Sequence, residues 1–171
     1  MTPILKLVDA VSRALFRLAE AVTLILVAAM IYEVVARYVF AAPTLWAFDI
    51  SYMCTGVLFV LGAAYALRED AHVRIDFLAE RMPRRLRLGI EAVIFLFCLA
   101  PIFASLAYVA IGRALRAYQS GEVEMVSPWA PLMWPFYSFI ALGLVALALQ
   151  ILAHGLRAAL GRTEAEFEIE A

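Results

Sequence analysis

Four acidic residues interrupt or border the long apolar segments of this chain, and they are the first candidates for chemistry. They are Glu20, Glu33, Asp49 and Glu91. A carboxylate inside a membrane is costly, so each one is by default a candidate for handling an ion or a substrate. All four lie within about two turns of a predicted helix end, and none lies at a predicted membrane midplane. Because substrate-binding transporters carry midplane polar groups or matched helix breaks, we expect no complete transport site in this chain.

The two histidines, His72 and His154, are the candidates for haem ligation in a four-helix membrane protein. Axial ligation needs them to face each other inside a bundle, whereas the predicted topology puts one in a loop and the other at the end of the last span. Neither Cys54 nor Cys98 belongs to a metal-binding spacing, and no serine lies in a nucleophile-elbow motif. We therefore predict no catalytic residue, no metal site and no bound cofactor. A stand-alone membrane redox protein or enzyme is the alternative from another functional class.

The elements that must position these residues are transmembrane helices. Of the 171 residues, 65% are hydrophobic and 17% are charged, whereas a soluble domain is about half apolar and about a quarter charged. A single core could not bury this excess, so lipid is the solvent for much of the surface. No basic stripe with interleaved aromatic residues supports nucleic-acid binding. The predicted fold class is an all-α integral membrane protein, one membrane domain with four transmembrane helices and additional amphipathic interfacial helices.

Runs of about 20 residues with few charges, the length that crosses the hydrocarbon, locate the spans. The first residues form an amphipathic helix that we expect to lie in the headgroup region. Pro101 is expected to kink the third span because it removes a helix hydrogen bond. The predicted division is an amphipathic helix at 1–17, spans at 18–38, 46–67, 88–112 and 134–155, a basic loop with a short surface helix at 68–87, a loop at 113–133 and an acidic tail at 156–171.

The distribution of Lys and Arg predicts the orientation. The N-terminus, the 68–87 loop and the C-terminus fall on one side of the four spans and together hold eleven basic residues, against three on the other side. The three are Arg37, Arg113 and Arg116. Basic residues accumulate in the cytoplasm, so both termini are predicted to be cytoplasmic. The arginines of the loop are also candidates for contact with anionic membrane lipid.

The second predicted span carries residues suited to assembly. Trp46 opens it at the interface and should anchor it there. Asp49 should face a partner or a basic group, because an unpaired carboxylate facing lipid is costly. Gly62 and the alanines that follow it permit close approach of another helix. These features also fit another hypothesis, in which the chain is a self-associating structural membrane protein.

The segment from Gly62 to Asp76 carries the most specific motif of the chain. It reads GAAYALREDAHVRID, and it follows Arg37-Tyr38-Val39-Phe40 and Trp46 in order, while Pro131 and Trp134-Pro135 open the last span. These pieces resemble the small membrane subunit of tripartite ATP-independent periplasmic (TRAP) transporters, the DctQ-like family. The sequence departs from the family pattern of two adjacent acids and an arginine after the tryptophan. The corresponding positions are Phe48, Asp49 and Ser51-Tyr52, so one acid and the arginine are missing.

The resemblance implies a non-catalytic subunit of a Na⁺-coupled secondary transporter for organic acids in the bacterial inner membrane. In such a system a periplasmic binding protein delivers the substrate to a large multi-helix permease, and that permease, not this chain, holds the Na⁺ site. The small subunit braces the permease and helps to dock the binding protein. Within the matching motif, His72, Arg74 and Asp76 are expected to form a polar cluster at the cytoplasmic end of span two.

Overall fold

The structure, a computed structural model, describes residues 3–69 and 83–160. Within them the chain forms long helices joined by short turns. These are α1 (Pro3–Tyr38), α2 (Ala47–Arg68), α3 (Arg84–Val93), a π-helical segment (Ile94–Leu99), α4 (Ala100–Ser120) and α5 (Trp134–Ala159). The segment from α3 to α4 is continuous and makes the third of four spans.

Four helical segments of the described residues are long and apolar enough to cross a membrane. They are Leu7–Tyr38, Ala47–Arg68, Leu86–Ser120 and Trp134–Ala159. A helix satisfies its own backbone hydrogen bonds, which is what a segment surrounded by hydrocarbon requires. The all-α membrane fold with four transmembrane helices is therefore confirmed.

The last helix, α5, is the centre of the bundle and packs against all the others. Two glycines make this packing possible. A Cβ at Gly143 would lie 2.6 Å from Val60 Cγ1 of α2, and one at Gly155 would lie 2.8 Å from Leu96 Cγ of the π-helical segment. Small residues at such crossings let helix backbones approach closely, which drives packing inside a membrane.

The first helix is continuous through the point at which the sequence pattern divides it. The amphipathic segment predicted over residues 1–17 is, in its described part, the beginning of α1. Its polar Asp9 and Ser12 lie among residues of α5, and Ser12 is buried. This segment therefore turns polar side chains toward the bundle, because α5 offers polar partners there.

The third span changes its helical form just before Pro101. The six residues Ile94–Leu99 are π-helical, and the N–H of Ala100 bonds the carbonyl of Phe95, five residues earlier. Proline lacks the N–H that an α-helix needs and crowds the preceding turn. The π-helical segment places this irregularity immediately before the proline, where sequence reasoning predicts a kink.

Short ordered loops connect the helices at the end where α2 begins. Gly121 ends α4 in the left-handed conformation at φ 62°. The loop then doubles back, and Val123 and Leu132 form an isolated antiparallel bridge. We call residues 121–133 the return loop. Its hydrogen bonds, Glu124 N–H to the Pro131 carbonyl and Met133 N–H to the Glu122 carbonyl, are both 2.9 Å long.

Candidate functional site

A buried ionic network, which we call the Asp9 cluster, joins three helices at the end of the bundle where α1 begins. Arg157 Nη2 donates to Asp9 Oδ2 at 2.7 Å, and Arg68 Nε lies 4.0 Å from Asp9 Oδ1. Gln150 Nε2 donates to Asp9 Oδ1 at 3.3 Å, and Gln150 Oε1 accepts from the Ser12 hydroxyl at 3.2 Å. Arg157 is only 3% exposed and Gln150 is fully buried. Each charge in this cluster is therefore held by a partner from another helix.

A second pair at the same end ties the third span to α5. His154 Nε2 lies 2.9 Å from Glu91 Oε1, and the imidazole packs against the Phe95 ring with centroids 4.4 Å apart. The His154 ring is therefore engaged with Glu91 and Phe95. His72, the other histidine considered as a haem ligand, lies outside the described residues.

At the opposite end, Glu33 fixes the turn between α1 and α2. The Arg37 guanidinium donates to Glu33 Oε1 at 2.9 Å through Nε, while the Thr44 N–H donates to Oε2 at 3.0 Å and the Thr44 hydroxyl bonds the same oxygen. Glu33 is buried although it lies near the end of its helix. One oxygen thus binds the last turn of α1, and the other binds the connecting turn that leads to α2.

Asp49 fixes the return loop to the first turn of α2. Its side chain is 1% exposed and accepts a hydrogen bond from the Ser127 hydroxyl. The same Ser127 oxygen accepts from the Trp129 N–H at 3.2 Å. One turn further along α2, the Tyr52 hydroxyl donates to Glu124 Oε2 at 3.2 Å. The loop is therefore folded down along α2 and not extended away from the bundle.

A third contact ties the return loop to the last turns of α4. The Arg113 guanidinium pairs with Glu122 and donates to the Tyr137 hydroxyl at 3.3 Å. It also lies over the Tyr137 ring, 4.8 Å from the centroid, in a cation–π geometry. These contacts complete what we call the Asp49 end of the bundle.

The two polar ends bound an apolar layer. On α2, Asp49 and Arg68 are nineteen residues apart, which is about 28 Å at about 1.5 Å per residue. This matches the roughly 30 Å hydrocarbon core of a bilayer. The buried ionisable groups of the described residues therefore lie toward the two ends of this apolar layer, where Glu33, His154 and Arg157 have charged partners and Asp49 accepts from the Ser127 hydroxyl.

Three of the predicted assembly residues, Trp46, Asp49 and Gly62, are among the described residues, and each has different surroundings. Trp46 precedes α2 and stacks on Tyr32 of α1 with centroids 5.7 Å apart. Asp49 is buried, and its hydrogen-bond partner among the described residues is the Ser127 hydroxyl, not a basic group; its role toward a partner subunit stays a prediction. No described atom lies within 4 Å of the position that a Cβ of Gly62 would occupy. The close helix contacts within the chain use Gly143 and Gly155 instead, and the role of Gly62 toward a partner stays a prediction.

The other three predicted residues, His72, Arg74 and Asp76, lie outside the described residues. Arg68, which belongs to the same sequence motif, is part of the Asp9 cluster. Sequence reasoning missed this cluster. The available signal was the coincidence of polar residues at helical spacing on two helices, Asp9 and Ser12 on α1 with Gln150, His154 and Arg157 on α5.

An apolar groove of about 520 Å³ lies between α1, α2, α5 and the return loop. Apart from the Cys54 thiol and the Trp129 indole, its lining side chains are apolar. A carboxylate would find neither a cationic side chain nor several hydrogen-bond donors there. Among the described residues, no three metal-ligating side chains converge on a point that could hold an ion.

Comparison with known proteins places this architecture in a family. The family model "Tripartite ATP-independent periplasmic transporters, DctQ component" matches residues 26–161. The sialic acid TRAP transporter permease protein SiaT of Haemophilus influenzae is 30% identical over 74 residues, which are 43% of this chain and 12% of that relative. The chain therefore aligns with only a small part of this relative. The family match runs from the second half of α1 to the end of α5, and it includes the last part of the first span and the whole of the other three. The chain belongs to the DctQ-component family of tripartite ATP-independent periplasmic transporters.

Proposed function

We propose that this chain is the non-catalytic small subunit of a Na⁺-coupled transporter for organic acids, in which it braces a large permease. The observation that carries the proposal is the pairing of its buried ionisable groups at the two ends of the bundle. Asp9 with Arg157, Glu91 with His154 and Glu33 with Arg37 are each engaged. A chain that ties its helices together in this way is suited to remain rigid while a partner moves.

The apolar groove supports the same division of labour. A site for an organic acid needs a few convergent polar groups, and the groove of about 520 Å³ has an apolar lining. We assign the Na⁺ and substrate sites to the large permease, and substrate capture to a periplasmic binding protein. The small subunit needs no cofactor in this arrangement.

We assign the two ends of the bundle to opposite sides of the bacterial inner membrane, following the orientation predicted from the distribution of basic residues. The end of the bundle that holds the Asp9 cluster includes Arg68 and Arg157 and is followed in the chain by the arginine-rich loop, so it is assigned to the cytoplasm together with both termini. The Asp49 end, with the return loop, then faces the periplasm. Its ordered loop offers a preformed surface at which a binding protein could dock without paying for loop ordering.

Co-purification tests this function directly. The full chain is extracted from its native membrane in a mild detergent, and proteins recovered with it are identified by mass spectrometry. A multi-helix permease in equal amount is the expected result, and uptake of labelled organic acids by the complex should require Na⁺. A homogeneous chain recovered without a permease, in a detergent shown to preserve a known membrane complex, would refute the subunit role.

The alternatives make different predictions in the same preparation. A redox protein would show a haem absorption band in the visible spectrum, and a self-associating structural protein would form stable homo-oligomers without a larger partner. No observation on the described residues favours either one over the transporter subunit.

A further inference from the structure

The first helix carries an exposed ion pair in the middle of the bundle. Arg17 Nη1 lies 3.6 Å from Glu20 Oε2, and the two side chains are 83% and 49% exposed. Glu20 has seventeen residues of α1 before it and eighteen after it. The sequence argument that Glu20 lies near a helix end is therefore wrong, because α1 begins far upstream of the predicted span.

Ring contacts between α1 and α2 establish the depth of this pair. Phe16 stacks on Tyr65 at 4.1 Å, and Tyr32 stacks on Trp46 at 5.7 Å. Glu20 is one quarter of the way from Phe16 to Tyr32, so it lies level with about Val60 on the antiparallel α2. Val60 is within a turn of the middle of that helix.

Packing against α5 gives the same depth. Leu15 and Ala19, which precede Glu20, belong to a buried cluster whose α5 members are Ala146, Leu147 and Ile151. The first two are at the centre of α5 (Trp134–Ala159), and Ile151 lies toward the end that carries Arg157. Glu20 is therefore level with the apolar middle of two neighbouring spans, and Arg17 lies about one turn nearer to the end of α2 that carries Arg68.

Exposure to lipid is energetically unfavourable for such a charged pair. Charged side chains in membrane helices are rare at this depth and almost always face protein or a water-filled cavity. Here both side chains point away from the bundle that the described residues form. The same outward face of α1 carries small exposed residues at a seven-residue interval, Ala14, Ala21 and Ala28, which allow close approach of another helix.

We propose that this outward face of α1, containing Arg17, Glu20 and Ala21, is the surface that docks against the large permease. The occupant is a transmembrane helix of that partner, close to α1 at Ala21, with a polar or charged side chain facing the Arg17–Glu20 pair. The inference rests on the proposed function and adds to it the helix face and the chemistry of the contact.

Site-specific photo-crosslinking in the intact complex tests the contact. A photoreactive residue is placed at Ala21 and, as the matched control, at Tyr108, which is 80% exposed near the middle of α4. The Ala21 probe should give an adduct with the permease, and the Tyr108 probe should not. Adducts of the Ala21 probe with lipid alone, or with a second copy of this chain, would overturn the proposal. A wild-type chain that recovers no permease would instead overturn the proposed function.

Charge variants give an independent test, because a polar partner and surrounding lipid predict different results for permease recovery. If the face meets a polar partner, the double variant Arg17→Met, Glu20→Leu should lower permease recovery severalfold. If it meets lipid, the same variant should leave recovery unchanged and raise the Tm of the isolated chain, which would contradict the proposal. The exchange Arg17→Glu, Glu20→Arg keeps the pair within α1 but reverses the charges that a partner meets. It should also lower recovery, and wild-type recovery of both double variants would defeat the proposed polar contact.

Discussion

Arg157 and Asp9 are 148 residues apart in the chain, yet the guanidinium Nη2 lies 2.7 Å from the carboxylate Oδ2 in the protein interior. Through this pair the last helix of the bundle holds the beginning of the first. Arg68 approaches the same carboxylate from α2, so three helices meet at one charge. The position of α1 relative to the bundle depends on this point as well as on apolar packing.

Removal of one partner of this pair should destabilise the fold strongly. Arg157→Leu removes one of the two positive charges that the described residues place near the Asp9 carboxylate. Breaking a buried ion pair lowers the free energy of unfolding by about 3–5 kcal/mol. Thermal unfolding in detergent measures the effect. Arg116→Leu, at an exposed arginine of α4, is the control and should change the free energy of unfolding by less than about 0.5 kcal/mol. Equal effects of the two variants would contradict a structural role for the pair.

Gly143 and Gly62 should respond in opposite ways to an added methyl group. In Gly143→Ala the new Cβ would lie 2.6 Å from Val60 Cγ1 and 3.0 Å from the Val60 carbonyl carbon. Such overpacking costs about 1–3 kcal/mol. Gly62→Ala meets no described atom within 4 Å and should stabilise the helix by up to about 1 kcal/mol. The free energies of unfolding of the two purified chains test this, and a destabilising Gly62→Ala would show that the Gly62 position is crowded.

A larger side chain at Gly62 should affect assembly and not the fold of the chain. No described atom lies within 4 Å of a Cβ at this position, so we expect the described residues to accommodate Gly62→Leu. If a partner helix packs there, the leucine should reduce recovery of the permease while the Tm of the isolated chain stays near that of the wild type. Wild-type recovery of the complex would remove Gly62 from the assembly surface.

Loss of the Ser127 hydroxyl should loosen the return loop. Ser127→Ala deprives the buried Asp49 carboxylate of a donor, and an unmet buried hydrogen bond costs about 1–3 kcal/mol. Backbone amides of residues 121–133 should exchange faster with deuterium, as followed by mass spectrometry. Ser105→Ala is the control, since that hydroxyl bonds the carbonyl of Ile102 in its own exposed helix. Unchanged exchange in Ser127→Ala would mean that other contacts hold the loop.

The motif after α2 provides a further prediction. His72, Arg74 and Asp76 follow Arg68, whose side chain belongs to the Asp9 cluster, so we expect them to act at the same end of the bundle. Single alanine variants at the three positions should each lower uptake or recovery of the complex. If all three variants behave as wild type in both measurements, these residues serve only as a polar connection.

The four spans could be predicted because long apolar segments with few charges have one stable environment, the hydrocarbon. The continuity of α1 could not be predicted from the sequence. Its first turns alternate polar and apolar residues, and such a pattern fits a helix on the membrane surface as well as one that turns Asp9 and Ser12 toward polar residues of α5. Only the positions of Gln150 and Arg157 in space decide between the two, and nothing local to α1 encodes them.

The roles of the glycines were also beyond sequence reasoning. Gly62, Gly143 and Gly155 each lie in an apolar helix, and their local contexts are similar. Which of them is pressed against a neighbour depends on the rotation of each helix about its axis, which the whole bundle sets. Asp49 shows the same limit, because its partner Ser127 is brought to it by the fold of the return loop.

The π-helical segment at Ile94–Leu99 shifts the phase of the third span. One extra residue in a helix rotates everything beyond it by about 100°. The two ends of the span therefore contact their neighbours in different rotational registers. Glu91 faces His154 before the shift, and Arg113 faces Glu122 and Tyr137 after it. Deletion of a single residue within Ile94–Leu99 would leave an apolar helix of nearly the same length that could satisfy one set of neighbours but not both. In this span hydrophobicity sets the depth, and the residue count sets the rotational register.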